Sequence, residues 1–356
     1  MDSSNGPGRA FIGSFTSAGG RGITVAAVDR ETGALTVLGA TDSVPDPSYL
    51  VLGRGGGPGG AVLYAVSETG PGAAAALDVT QDTPRPIGAL RPVDGDAPTH
   101  LALAGGRLLT ANYGSGSVTV LPVGADGSLG APDSVLQHEG SGPDAARQEG
   151  PHAHQVLPDP SGNWVLSVDL GTDSVRICAL DAETGTLRPH GETALRPGTG
   201  PRHLAFHPDG AHAYVLNELE PTVTVCRWDA AAGVLDAVDE TPLLPVEATG
   251  GAAGASYASE VVVSHDGRFL WAANRGHDSI SVIGLDATGE KASLVTTVSC
   301  GGHWPRDLAL DPAGRRLYAA NERSGNVAWF AVDPETGIPV QEGSLEAPAA
   351  SCVIFA

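Results

Sequence analysis

Residues 200–218 read GPRHLAFHPDGAHAYVLNE. Two short apolar runs, 204–206 and 213–216, flank His207-Pro208-Asp209-Gly210. That is the pattern of two strands reversing about a tight turn. A hairpin sets the start of its first strand beside the end of its second. Arg202, just before the first run, and Glu218, just after the second, are therefore expected side by side at one sheet edge.

The cassette recurs along the chain. Its second-strand half returns as AFIGSF (10–15), LYAVSE (63–68), LLTANY (108–113), VLSVDL (165–170), AYVLNE (213–218), LWAANR (270–275) and LYAANE (317–322). Its first-strand half returns as PSYLVL (47–52), PTHLAL (98–103), PHAHQV (151–156), PRHLAF (201–206), YASEVVV (257–263), PRDLAL (305–310) and ASCVIFA (350–356). Further apolar runs such as SVTVLPV, SVRICAL, TVTVCRW and SISVIGL add a third and a fourth strand to each unit. Units of about 45–57 residues with four strands each, and no sustained helical period, predict an all-β fold. The architecture expected is a seven-bladed β-propeller of four-stranded antiparallel blades. The chain opens with a second-strand signature and closes with a first-strand one. Cys352–Phe355 is thus expected to pair as the innermost strand of the blade built from 10–40, closing the ring and removing a sheet edge. A single domain over 10–356 follows, with a flexible 1–9, a loose glycine-rich turn at 53–60 and a surface loop at 140–150.

The composition agrees. Among 356 residues there are 49 glycines and 27 prolines, yet 41% are hydrophobic, which suits short strands and tight turns rather than disorder. The net charge of −21 disfavours nucleic acid and anionic membrane as partners. An anionic ligand would have to be captured locally by arginines. Cys178, Cys226, Cys300 and Cys352 form no CxxC pair and read as buried thiols of a reducing cytosol. No signal peptide or membrane-spanning run is apparent, so a cytoplasmic monomer or weak dimer is expected.

In a propeller, residues just before first strands and just after second strands crowd one mouth of the axial channel. Here they are Tyr49, His100, His152, His154, Arg202, His203, Glu260, Arg306 and Asp307, with Glu68, Tyr113, Glu218, Arg275 and Glu322. Ionisable groups concentrated at one end favour a polar ligand site. Arg202 and Arg275 beside Glu218 and a histidine suit an anionic ester: two guanidiniums for charged oxygens and one group to move protons. His152 and His154 share a face if both lie on a strand, which permits a metal, but two ligands are a weak zinc signal and acid/base work is preferred. Side chains alternate along a strand, so only one of Arg202 and His203 is expected to face the channel, and the arginine is chosen. His207 reads as a structural turn residue. His138, His190, His212 and His265 read as ordinary surface histidines.

The motifs GPRHLAFHPDG and YVLNELE, with PTHL, PHAHQ and ANRG, resemble the propeller-type 6-phosphogluconolactonase and carboxymuconate-cyclase family over nearly the whole chain. The resemblance implies a catalytic set of His154, Glu218, Arg202 and Arg275, with His152 as the alternative histidine. His100 resembles a family position too, and His100, His152, Tyr113, Glu260, Arg306 and Glu322, all at the expected mouth, are the candidate substrate contacts. The reaction implied is metal- and cofactor-free hydrolysis of a small anionic lactone, with a muconate-type cyclisation or a non-catalytic scaffold as alternatives. The loop at 140–150 departs from the family pattern and could reshape the mouth.

Overall fold

A computed structural model describes residues 8–54, 60–245 and 256–356. Residues 1–7, and most of the glycine-rich turn expected at 53–60, lie outside these. The strands form seven antiparallel sheets around an axis, and we number the blades from the one that joins the termini. In blade 1, Ala350–Phe355 is innermost, followed outward by Gly8–Ser14, Ile23–Val28 and Leu35–Thr41. The closure expected from the order of the signatures is present, with Ala10 opposite Phe355 and Ile12 opposite Val353.

The inner strands of blades 2 to 7 are Leu50–Arg54, Pro98–Ala104, Ala153–Pro158, Pro201–Phe206, Tyr257–Val263 and Pro305–Leu310. Each pairs with the second strand of its own hairpin. Blade 2 differs at its rim, where two proline-containing dipeptides, Arg85–Pro86 and Arg91–Pro92, replace a full outer strand. Proline at a sheet edge lacks the donor that another strand would need.

Seven apolar clusters hold the ring, one for each blade–blade interface. In the cluster between blades 5 and 6, Tyr214, Leu216 and Val225 pack on Ala258, Leu270 and Ile283. Buried aromatics on second strands also reach into the next blade. The hydroxyls of Tyr64, Tyr214 and Tyr318 donate to the carbonyls of Gly127, Gly289 and Gly33 at 3.0, 3.0 and 2.8 Å. The Trp271 indole donates to Gly337 at 2.8 Å. The four accepting glycines all have positive φ, between +69° and +86°, which other residues adopt poorly.

The mouth is shaped by a recurring bulge. In blade 5, Pro201 faces Asn217 but His203 faces Leu216, so Arg202 is an extra residue in the inner strand. His154 is extra between Ala153 and Gln155, and Arg306 between Pro305 and Asp307. A bulge of this kind re-aims side chains where the strand begins. All four cysteines are free and buried, as expected. Among the described residues, no helix is long and apolar enough to cross a membrane.

Candidate active site

The Arg202–Glu218 pairing expected from the hairpin is present. Arg202 Nε lies 3.2 Å from Glu218 Oε2, and both side chains are buried. Arg275, from the end of the second strand of blade 6, brings Nη2 to 2.8 Å from the same oxygen. The other carboxylate oxygen of Glu218 accepts from Arg147 Nη2 at 2.7 Å. Burial alone would raise the Glu218 carboxyl, but Arg275, Arg202 and Arg147 outweigh it and hold it at about 2. Burial, then the charge of Arg275, lowers the Arg202 guanidinium to about 10, which leaves it cationic at neutral pH. Three guanidiniums thus surround one carboxylate, and two positive charges stay uncompensated in a protein of net charge −21.

His154 lies buried beside this cluster, its ring 5.2 Å from that of His203 and 5.5 Å from that of Tyr113. Burial, then Arg202, keeps it well below the usual imidazole range, so it is neutral at pH 7. Its Nδ1 is buried with no hydrogen-bond partner.

One layer deeper lies a second polar ring, made by His100, Gln155, His203, Asp307 and Cys352, each just after a bulge, with Glu260 from the two-residue bulge of blade 6 and Tyr49 from just before the inner strand of blade 2. His203 donates from Nδ1 to Glu260 Oε2 at 2.8 Å, which leaves its buried Nε2 unpartnered. Glu260 Oε1 accepts the Val261 N–H and Asp307 accepts the Val353 N–H. The two carboxyls lie close enough to influence each other's ionisation. Burial raises both, Glu260 to about 7. His100 completes this layer, its ring tilted by 35° against that of Tyr49 with the centroids 4.2 Å apart.

This corrects the alternation argument. Arg202 and His203 both reach the axis, because the bulge breaks the strict period of two. Glu260 and His100 lie in the deeper ring, beneath the guanidinium layer. His152 sits on the rim, stacked at 4.4 Å on Tyr113, with Nδ1 2.9 Å from the Tyr113 carbonyl. Between the two registers of PHAHQ, it is His154 that joins the buried cluster. Arg306 lies across the mouth, 3.3 Å from Glu68 and 3.5 Å from Glu322. His138, read as a surface residue, is instead buried, with Nδ1 2.6 Å from Asp169.

Sequence reasoning missed Arg147. It belongs to the 140–150 loop, which folds back because Gln148 is fully buried and donates to the Leu170 carbonyl at 2.9 Å. Arg147 also reaches the Tyr113 hydroxyl at 3.4 Å. Its only signal was a cation in a loop next to the HxH.

Fold and site define a propeller enzyme with a guanidinium-rich, imidazole-lined cup at one end of its axis. The chain belongs to the seven-bladed β-propeller lactonase family, whose model matches residues 9–355, and its activity is that of a lactonase. It is 35% identical to the 6-phosphogluconolactonase of Bacillus subtilis over 97% of both chains. It is 29% identical to the 6-phosphogluconolactonase of Formosa agariphila, covering 92% of this chain and 93% of that one. Among solved structures, the periplasmic gluconolactonase of Pseudomonas aeruginosa superposes with a TM-score of 0.88 at 29% identity, over 98% and 99% of the two chains.

Proposed function

We propose that this chain hydrolyses 6-phosphogluconolactone to 6-phosphogluconate without a metal ion, in the cup around Glu218. The observation that carries the reading is the excess of two positive charges there, beside a buried neutral imidazole. The names of the relatives in Bacillus subtilis and Formosa agariphila agree with it.

Arg275 and Arg147, nearer the rim, hold the phosphate, while Arg202 faces the lactone carbonyl and stabilises the oxyanion. His154 takes a proton from the attacking water as the carbon–oxygen bond forms. The resulting imidazolium returns that proton to the ring oxygen as the acyl–oxygen bond breaks. Glu218, ionised far below neutrality, keeps the guanidiniums in place and moves no proton. Positioning and charge suffice here, because a lactone is already a reactive ester.

The test is turnover of 6-phosphogluconolactone with and without a chelator. His154→Gln is expected to lose about 100-fold or more in kcat, whereas His152→Gln stays within a few-fold. Arg147→Ala is expected to raise KM for the phosphorylated lactone more than for unphosphorylated gluconolactone. Full activity of His154→Gln, or loss of activity on chelation, overturns the mechanism. No turnover of the phosphorylated lactone by the wild-type chain overturns the substrate.

A further inference from the structure

The hairpin turn of blade 5 lies at the end of the ring opposite the mouth and carries His207, Asp209 and His212. Their ligand-capable atoms lie within 4.8 Å of one another. Asp209 Oδ2 stands 3.0 Å from His207 Nδ1 and 2.8 Å from His212 Nδ1.

The tautomer of His207 is fixed by its neighbours. Its Nε2 lies 3.1 Å from the Gly267 carbonyl, which only accepts, so Nε2 carries a proton. Nδ1 accepts the Asp209 backbone N–H at 3.2 Å, so it bears a lone pair. That lone pair, only weakly engaged by the N–H, and the Asp209 carboxylate oxygen therefore stand 3.0 Å apart, a contact that either a second ring proton or a bound cation relieves. In the matched turn of blade 6 a side-chain cation meets the carboxylate: Arg268 Nε sits 2.8 Å from Asp266 Oδ2. Blade 5 has Ala211 at the arginine position and supplies two imidazoles instead.

The spacing fits a metal ion. Donor atoms held about 2.0–2.2 Å from one tetrahedral ion lie about 3.3–3.6 Å apart, so the 3.0 and 2.8 Å distances from Asp209 Oδ2 to the two imidazoles need to open by only about half an ångström to admit one. Asp209 Oδ1 is taken up by the N–H groups of Ala211 and His212 at 2.8 and 3.2 Å, whereas Oδ2 faces only the two imidazoles, so an ion there takes the place of the His212 Nδ1 proton. Behind the imidazoles stand the acceptors that metal-bound histidines need. His207 has the Gly267 carbonyl, and His212 Nε2 faces Glu290 Oε1 at 3.8 Å. Glu290 is itself held by Arg227 at 2.6 and 2.9 Å.

We propose that His207, Asp209 and His212 form a binding site for one borderline divalent cation, Zn²⁺ in the first instance, with solvent completing its shell. Two imidazoles and a carboxylate suit this class of ion. Gly267 and Glu290 belong to blade 6, so the ion ties the blade 5 turn to its neighbour. Because it lies at the opposite end from the cup, it acts on stability and not on turnover.

The experiment is calorimetric titration of Zn²⁺ into tag-free, metal-stripped full chain at pH 7.5. Expected are one equivalent bound, a rise in Tm with free Zn²⁺, and lactone turnover unchanged within twofold. Asp209→Asn, which keeps the Oδ1 acceptor of the turn, and His212→Gln are each expected to weaken binding at least 30-fold while their circular dichroism stays native. His303→Gln, elsewhere on the surface, should leave binding intact. Cobalt substitution should give visible bands without thiolate charge transfer. Absence of saturable binding, undiminished affinity in both variants, or a thiolate spectrum overturns the site.

Discussion

At the scale of single residues, ionisation states divide the labour. Glu218 looks like a proton shuttle from its place beside a histidine, yet three guanidiniums hold its carboxyl at about 2. A group so acidic is a counter-ion, and removing its charge would release Arg147, Arg202 and Arg275 from their shared anchor. Glu260 is the opposite case, raised to about 7 by burial, with the Asp307 carboxyl, raised as well, beside it and His203 donating to it. This shift has a consequence for stability. An unfolded glutamate loses its proton near 4.5, whereas the folded one keeps it until about pH 7. Between those values the folded state binds more protons than the unfolded one, so stability is full below pH 4.5 and falls as pH rises through about 7. The slope is at most ~1.4 kcal/mol per pH unit for one proton. The buried neutral histidines act in the opposite sense below about pH 6.5, so the Glu260 contribution is read as a difference: from pH 5 to pH 8 the Tm of wild type should fall relative to that of Glu260→Gln. A Tm profile unchanged by the substitution would show that Glu260 ionises normally.

At the scale of elements, the second strand and the bulge explain what was legible. The fifth residue of the second-strand repeats is Ser, Asn or Asp in all seven, and it is a hydrogen-bonding position: Asn217 Nδ2 donates to Thr222 and Thr224 at 2.9 and 3.0 Å, and Asn274 does the same with Ser279 and Ser281 at 3.1 and 2.8 Å. A polar position repeated in every blade leaves a periodic trace, so blade number, ring closure and the Arg202–Glu218 edge could all be read. The bulge leaves none, because one extra residue changes no composition or spacing that a single hairpin reveals. His203 was therefore assigned to the wrong face. Arg147 was invisible for a related reason: its position depends on Gln148 anchoring an irregular loop, which no period encodes. The inter-blade aromatics make the element scale testable. Tyr214→Phe keeps the ring in its apolar cluster but leaves the Gly289 carbonyl without its donor, a cost of about 1–3 kcal/mol. Thermal unfolding should show a Tm lower by a few degrees with lactone turnover retained. An unchanged Tm would mean that water replaces the hydroxyl at no cost.

At the scale of the whole molecule, two fields of opposite sign act on an anionic substrate. The chain carries −21 overall, and Glu68, Glu149 and Glu322 stand around the mouth. The cup holds an excess of two positive charges, with Arg202 and Arg275 buried. Approach from solution is governed by the first field, and binding by the second. Salt distinguishes them, because the Debye length shrinks from about 30 Å at 0.01 M to about 8 Å at 0.15 M, while buried pairs are screened far less. Repulsion on approach is therefore removed by ionic strengths that leave the guanidinium contacts largely intact. Raising salt from about 0.01 to about 0.15 M is expected to raise kcat/KM for the phosphorylated lactone, several-fold at most, and to leave a neutral lactone unaffected. A steep fall for the phosphorylated substrate would mean that positive potential extends out of the mouth, and that the arginines steer the substrate from a distance rather than capture it on contact.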